Sequence, residues 1–86
     1  MEIILRSSFV KAYNKLSRKL CEKVDERLLL FIKKPYAYVL HNHELHGEYS
    51  GSRSINITGD YRAIFFIQED IAIFIRIGTH SELFGK

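Results

Sequence analysis

The fold of this chain is decided by the stretch from Tyr61 to Ile77, which reads Y-R-A-I-F-F-I-Q-E-D-I-A-I-F-I-R-I. Two near-continuous apolar runs, at residues 61–67 and 71–77, flank the polar connector Q-E-D at residues 68–70. Runs of this length that are rich in β-branched and aromatic side chains are typical of well-buried strands. The stretch therefore predicts a hairpin of two antiparallel strands.

A third strand is predicted just before this hairpin. Residues 52–58 alternate between polar and apolar side chains, which places the isoleucines on one face and Ser54 and Asn56 on the other. The turn dipeptide Gly59–Asp60 then leads into the hairpin. Three consecutive strands joined by tight turns predict an antiparallel meander.

The first part of the chain is predicted to be helical after a short strand at residues 3–5. Ser7 or Ser8 offers an N-cap oxygen at its start, and Pro35 stops the pattern. Residues 17–19 are the polar stretch where a break would turn one bent helix into a hairpin of two, and the pattern leaves both arrangements open. The apolar side chains that recur at steps of three and four along one helical face are Phe9, Tyr13, Leu16, Leu20, Val24, Leu28 and Phe31.

Together these elements predict an α+β fold with a short N-terminal strand, a helical hairpin and a three-stranded antiparallel meander. We expect the first strand to pair with the sheet and the helices to pack on one of its faces. A chain of 86 residues has room for a single core, so residues 1–86 are expected to form one domain.

The composition argues against several classes of protein. Hydrophobic residues make up 47% and charged residues 27%, which is typical of a folded globular chain and not of a disordered one. The single cysteine, Cys21, allows no internal disulfide, so we expect a reducing, cytoplasmic location. The longest wholly apolar run, residues 28–32, is far too short to span a membrane. The formal charge of +3 is compatible with a nucleic-acid partner, although the basic helical residues could equally be a solvated face.

Three histidines, His41, His43 and His46, form the pattern H-x-H-x-x-H, which raises the question of a zinc site. No cysteine lies near these histidines in the sequence. The segment is predicted to be loop or extended chain, where histidines are often solvent-exposed without a ligand role. We therefore expect neither a metal nor another cofactor.

A second group of candidate residues is dispersed along the chain. His43 precedes the β part, Asp60 and Arg62 flank the start of the middle strand, and His80 and Phe84 follow the last strand. In an antiparallel hairpin the start of one strand and the end of the next lie at the same edge of the sheet, so Asp60 and His80 should be neighbours. Each residue could also have an ordinary surface role, and Arg62 could be a structural ion-pair partner.

These residue types suit metal-independent RNA cleavage. One group must take the proton of a ribose 2′-hydroxyl as it attacks the adjacent phosphorus, and another must protonate the departing 5′-oxygen. Histidine titrates near neutrality and can serve in either role. Arg62 could bind the phosphate oxygens and stabilise the negative charge of the phosphorane. Phe84 offers a ring on which an unpaired base could stack.

Three motifs resemble the RelE/ParE toxin superfamily, and most closely its YafQ-type mRNA interferases. They are H-E-L-H-G at residues 43–47, R-S-I-N-I-T-G-D-Y-R-A-I-F at residues 53–65 and I-G-T-H-S-E-L-F at residues 77–84. The resemblance covers essentially the whole chain. It implies a toxin of a type II toxin–antitoxin system that enters the ribosomal A site, cuts the mRNA there, and is neutralised by a cognate antitoxin.

The resemblance also implies roles for single residues. His43 and His80 match the family histidines that transfer protons, Asp60 matches the acid that orients them or shares in the transfer, and Phe84 matches the tail aromatic. Which histidine is the base and which the acid stays open. Arg62 matches the strand arginine that RelE-like enzymes place on the phosphate.

Two further positions bear on the substrate. Arg53 is a candidate phosphate contact. Asn56 stands where YafQ-type toxins carry another histidine, and an amide can hydrogen-bond a phosphate or ribose but cannot move a proton at neutral pH.

Non-catalytic alternatives remain at this stage. ParE-like relatives of the same fold poison gyrase through protein contact, and an inactive toxin would only bind its antitoxin, as Asn56 could indicate. Codon preference, the identity and stoichiometry of the antitoxin and the oligomeric state have no legible signal in the sequence.

Overall fold

The computed structural model describes residues 1–85, in which three α-helices accompany one five-stranded sheet. The strands are β1 Glu2–Leu5, β2 His43–Glu44, β3 Arg53–Asn56, β4 Tyr61–Gln68 and β5 Ile71–Thr79. The helices are α1 Ser7–Asn14, α2 Arg18–Lys33 and α3 His80–Phe84. The predicted α+β class is confirmed.

The sheet has the strand order β1-β5-β4-β3-β2. Strands β3, β4 and β5 form the predicted antiparallel meander, and β1 pairs with β5 in the parallel direction. The short strand β2, which pairs with β3, extends the predicted meander to a mixed sheet of five strands. A strand of two residues is too short to show an alternating pattern, so β2 could not be predicted from periodicity.

The turn between β4 and β5 is tighter than predicted. Gln68 belongs to β4 and pairs with Ile71, so only Glu69 and Asp70 connect the strands. Both residues have positive φ, 51° and 66°. Positive φ at both central positions is characteristic of two-residue hairpin turns whose twist matches that of the flanking strands.

The helical part divides into two helices rather than one bent helix. α1 ends at Asn14, and α2 begins after Ser17, whose Oγ accepts a hydrogen bond of 3.2 Å from the backbone N–H of Leu20. This N-cap stabilises the start of α2 and explains the break. No helix within residues 1–85 has the length and apolar composition needed to cross a membrane.

The predicted N-cap of α1 is wrong. Arg6 occupies the N-cap position and makes no capping bond with its side chain. Ser8 Oγ instead donates a 2.6 Å hydrogen bond to the carbonyl oxygen of Ile75, and so ties α1 to β5. A second bond, 2.8 Å from the Tyr13 hydroxyl to Asp25, ties α1 to α2 and raises the pKa of Tyr13 to about 12.

The helices cover one face of the sheet and bury an aromatic core. Phe31 of α2 packs edge-on against Phe65 and Phe74, with ring centroids 4.9 Å and 5.3 Å away, and Phe9 of α1 lies 5.7 Å from Phe74. All four rings are fully buried. Burying a phenylalanine contributes about 1.5–3 kcal/mol, so this cluster is the main source of stability in a small domain.

Replacing Asp70 by glycine is expected to stabilise the protein. A left-handed conformation is strained for most residues with a Cβ atom, and glycine relieves that strain, so Asp70→Gly should raise the free energy of unfolding by about 0.5–1 kcal/mol. Urea unfolding followed by circular dichroism measures the change. Gln68→Gly, at the end of β4, is the matched control and should destabilise the protein. Equal destabilisation by both variants would contradict the turn geometry.

Candidate functional site

The face of the sheet opposite the helices carries polar side chains. Ser54 pairs with Ile64 and Asn56 pairs with Arg62, and residues paired in this way share one face of an antiparallel sheet. His43 of β2 pairs with Ser54 and extends the row. Ser54 and Asn56, which flank the buried Ile55, therefore lie on the side away from the core.

A cleft of about 270 Å³ opens on this face, and we refer to it as the histidine cleft. Its lining residues are His43, Leu45, His46, Ser54, Arg62, His80 and Phe84. The structure thus brings together four residues that were predicted from positions far apart in the chain: His43, Arg62, His80 and Phe84.

His43 is held by the backbone next to it. Its Nδ1 lies 2.8 Å from the carbonyl oxygen of His41, whose left-handed conformation, with φ 47°, bends the chain just before β2. A carbonyl oxygen only accepts hydrogen bonds, so Nδ1 is the donor in this contact, and in the neutral form of the ring the lone pair is on Nε2. This tautomer makes His43 suited to accept a proton.

His80 is the first residue of the short helix α3, which follows β5 directly. Thr79 Oγ1 accepts a hydrogen bond from the N–H of Glu82 at 3.1 Å, and Glu82 Oε1 accepts one from the N–H of Thr79 at 2.8 Å. This capping box fixes the start of α3, and Leu83, which is 4% exposed, anchors the helix to the domain. The sequence T-x-x-E carried the signal for this turn.

The backbone N–H of His80 also donates a 3.1 Å hydrogen bond to the carbonyl oxygen of Asp60. This contact places the two residues side by side, as the hairpin geometry predicts. The Asp60 side chain is exposed and does not line the histidine cleft, so the contribution of Asp60 to the position of His80 comes from its backbone.

Gly78, near the end of β5, allows α3 to pack close to this strand. A Cβ atom at Gly78 would lie 2.9 Å from Glu82 Oε1, the oxygen that completes the capping box. A Cβ atom there would force the flexible Glu82 carboxylate to shift, which would weaken its hydrogen bond to the N–H of Thr79. Glycine therefore favours the close approach of α3 to β5.

Arg62 both braces a turn and lines the cleft. Its Nη1 lies within hydrogen-bonding distance of three carbonyl oxygens in the β3–β4 turn: Thr58 at 3.1 Å, Gly59 at 2.9 Å and Tyr61 at 3.3 Å. These bonds hold the guanidinium in one place. The result is a fixed positive charge in the wall of the histidine cleft.

Two predicted substrate contacts lie elsewhere. Arg53 points to the helical side, where its Nε donates a 2.8 Å hydrogen bond to Asn42 Oδ1 and its guanidinium lies 5.7 Å from the ring centroid of Tyr36. Asn56 contributes to a neighbouring cleft of about 360 Å³ that also includes Lys23 and Arg27. Its Oδ1 is buried and has no hydrogen-bond partner among residues 1–85.

Ser54 and Tyr49 also lie at this site, although neither was predicted as a functional residue. Ser54 is 1% exposed, and its hydroxyl is buried without a partner in the described part of the chain. The ring of Tyr49 packs edge-on against Phe84 at 5.7 Å, and its hydroxyl accepts a 3.1 Å hydrogen bond from Arg76 Nη1. The alternation of β3 gave a signal for Ser54, whereas the contacts of Tyr49 depend on tertiary structure.

The three histidines of the H-x-H-x-x-H pattern are divided between two places. His43 and His46 line the histidine cleft, whereas the ring of His41 stacks on that of His43 with centroids 4.7 Å apart. From residue 1 to residue 85, no group of three or more histidine, cysteine, aspartate or glutamate side chains is arranged to hold a metal ion.

The chain matches one protein family over nearly its whole length. The family model described as the bacterial toxin of type II toxin–antitoxin system, YafQ, matches residues 1–85. None of the curated proteins matches the sequence of the chain.

Solved structures of bacterial toxins resemble this one. YafQ from E. coli strain BL21(DE3) is 27% identical with a TM-score of 0.79, and the alignment covers 98% of each chain. YafQ in the E. coli DinJ–YafQ toxin–antitoxin complex is 27% identical with a TM-score of 0.75, over 98% of this chain and 97% of that one. The YoeB/ParE toxin from Agrobacterium tumefaciens is 18% identical with a TM-score of 0.74, over 93% of this chain and 99% of that one, and supports the fold alone.

Removal of the α3 cap should loosen the end of the chain that carries His80. Thr79→Ala deletes the oxygen that accepts from Glu82, and loss of an N-cap costs about 0.5–2 kcal/mol. We expect faster amide hydrogen exchange at Glu82 and Leu83, measured by NMR, and a small fall in the urea midpoint. The neighbouring exposed residue provides the control variant, Ser81→Ala, which should leave both quantities unchanged. Unaltered exchange in Thr79→Ala would contradict the capping role.

Proposed function

Since the chain belongs to the YafQ family of bacterial toxins in type II toxin–antitoxin systems, we propose that it is a metal-independent endoribonuclease that cuts mRNA in the ribosomal A site. The observation that carries the proposal is the histidine cleft, on the face of the sheet opposite α1 and α2. His43, His80 and the braced Arg62 line it together with His46. Proton transfer and charge stabilisation are the two requirements of this reaction.

His43 is the general base in this scheme. Its Nδ1 is bonded to the carbonyl oxygen of His41, so Nε2 is free to take the proton of the ribose 2′-hydroxyl. The 2′-oxygen then forms a bond to the adjacent phosphorus. A histidine held in the correct tautomer avoids the cost of reorganising the ring during the reaction.

His80 is the general acid. As the bond between phosphorus and the 5′-oxygen breaks, protonated His80 donates its proton to that oxygen, which leaves a 2′,3′-cyclic phosphate and a free 5′-hydroxyl. The capping box of α3 and the bond to the Asp60 carbonyl hold the His80 backbone beside the cleft. The scheme therefore needs no proton transfer by residue 56, which is an asparagine in this chain.

Arg62 stabilises the charge that develops on the phosphorane oxygens. Its guanidinium is held by the β3–β4 turn, so it is already in place when the charge forms, and removing one such donor typically costs about 100- to 1,000-fold in rate. The Phe84 ring forms an aromatic wall of the cleft against which an unpaired base could stack.

The partners follow from the same proposal. E. coli YafQ has been solved in a complex with DinJ as a toxin–antitoxin pair, and we propose that this chain is likewise bound and neutralised by a cognate antitoxin. We further propose that it acts in the cytoplasm on translating ribosomes. A sequence pI near 9.1 favours association with the ribosome, since RNA binding gains from cationic residues.

Substitution of either histidine should abolish cleavage. We expect His43→Ala and His80→Ala each to lower the rate of mRNA cutting by at least about 100-fold, because general acid–base groups contribute that much. The measurement is cleavage mapping on ribosomes programmed with a defined mRNA, with the wild-type protein beside each variant. Circular dichroism and antitoxin binding provide the control for folding.

The outcomes separate the candidate functions. Cuts within the A-site codon that vanish in the variants support the proposal. If both variants cut as well as the wild type, the assignment of the histidines is wrong. Absence of cuts from folded wild-type protein would favour gyrase inhibition or antitoxin binding alone.

Cleavage should also persist in a chelator. The scheme needs only side-chain protons and the Arg62 charge. A chelator that removes free divalent ions from preassembled, mRNA-programmed ribosomes, in a polyamine buffer that keeps them intact, should therefore change the cleavage rate less than about twofold. A strict requirement for an added divalent ion at the chemical step, restored by manganese or magnesium at fixed ribosome occupancy, would contradict the acid–base scheme.

A further inference from the structure

Tyr49 connects strand β5 to the His80 ring through a series of side-chain contacts. Arg76 Nη1 donates a 3.1 Å hydrogen bond to the Tyr49 hydroxyl, and the Tyr49 ring meets the Phe84 ring edge-on with centroids 5.7 Å apart. The Phe84 ring in turn lies 4.9 Å from that of His80, tilted by 51°. We refer to Arg76, Tyr49 and Phe84 as the tyrosine brace.

The backbone that carries Tyr49 is itself well held. The carbonyl oxygen of Tyr49 accepts a 2.9 Å hydrogen bond from the N–H of Ser52, whose own carbonyl accepts from Leu45 at 2.9 Å. Gly47 and Gly51 bracket this segment with φ of 67° and 92°, a conformation that favours glycine. Tyr49 therefore presents its ring to Phe84 from an ordered loop.

The His80 ring needs such support. The capping box and the Asp60 carbonyl fix only its backbone, and the side chain is exposed. Phe84 lies four residues along α3, on the same helical face, so its ring limits the directions that the His80 ring can take. Phe84 is held in turn by Tyr49, which approaches from a different loop.

We propose that Tyr49 is a positioning residue that fixes the His80 ring through Phe84. The kinetic consequence rests on the proposed function, in which His80 donates the proton to the leaving oxygen. A misplaced acid slows the chemical step without weakening substrate binding. Tyr49 would therefore act on the rate of cleavage and not on affinity for the ribosome.

Two substitutions separate the ring of Tyr49 from its hydroxyl. Tyr49→Leu removes the aromatic contact with Phe84 and should lower the single-turnover cleavage rate at saturating toxin about tenfold, with the half-saturating concentration changed less than twofold. Tyr49→Phe keeps the ring and should restore the rate to within about threefold of wild type. Tyr38→Leu is the matched control, because Tyr38 is 99% exposed.

An NMR measurement tests the brace without any cleavage assay. In the wild-type protein, nuclear Overhauser effects should connect Tyr49 with Phe84 and Phe84 with His80. In Tyr49→Leu the effect between Phe84 and His80 should weaken and the His80 ring resonances should shift, whereas Tyr49→Phe and Tyr38→Leu should keep the wild-type pattern. Thermal melting shows whether each variant is folded.

The result that would overturn the brace is an unchanged His80 environment in folded Tyr49→Leu. Missing Overhauser effects in the wild type would overturn it as well, even if Tyr49→Leu fails to fold. A rise in the half-saturating concentration with an unchanged rate would show instead that Tyr49 contacts the RNA or ribosome. If the wild type does not cut RNA, the proposed function fails, and the NMR results still decide the brace.

Discussion

The pairing of β4 with β5 is the constraint on which the rest of the structure depends. Its register sets Tyr61 opposite Thr79, so the chain leaving β5 meets the turn that enters β4. The hydrogen bond from His80 to the Asp60 carbonyl follows directly from this register. A slip of β4 by one residue against β5 would turn the side chains of β4 to the wrong faces, and would bury Arg62 while exposing Phe65. Fold and site are therefore specified by the same hairpin.

One face of this hairpin contributes to the apolar core, and the other carries the candidate site. The helical side holds the interlocked rings of Phe31, Phe65 and Phe74, and provides most of the stability. The opposite side holds the histidine cleft, whose charged and titratable groups are only partly buried or exposed. Because these groups contribute little apolar burial, they can be replaced at small cost to stability, which makes the cleft accessible to mutational tests of function.

Much of this architecture could be predicted from the sequence, and the features that could not be predicted have physical causes. The long apolar runs predicted β4 and β5, and the same hairpin geometry predicted that Asp60 and His80 would be neighbours. Strand β2 has too few residues to show a period, and the parallel pairing of β1 depends on β5, far along the chain. Arg53 is turned to the helical side by its pairing with Phe65, a consequence of register that its residue type does not reveal.

The surroundings of His43 and His80 in the cleft differ, and this difference bears on the proposed proton transfers. His43 is bonded through Nδ1 to a backbone carbonyl, which favours one tautomer and leaves Nε2 as an acceptor. His80 has no such backbone bond to its ring in the described residues, and its ring contact is with Phe84. Without such a bond, either nitrogen of a protonated His80 ring could present the proton to the leaving oxygen. In the proposed reaction these surroundings suit His43 as the base and His80 as the acid, and no proton transfer by Asn56 is needed.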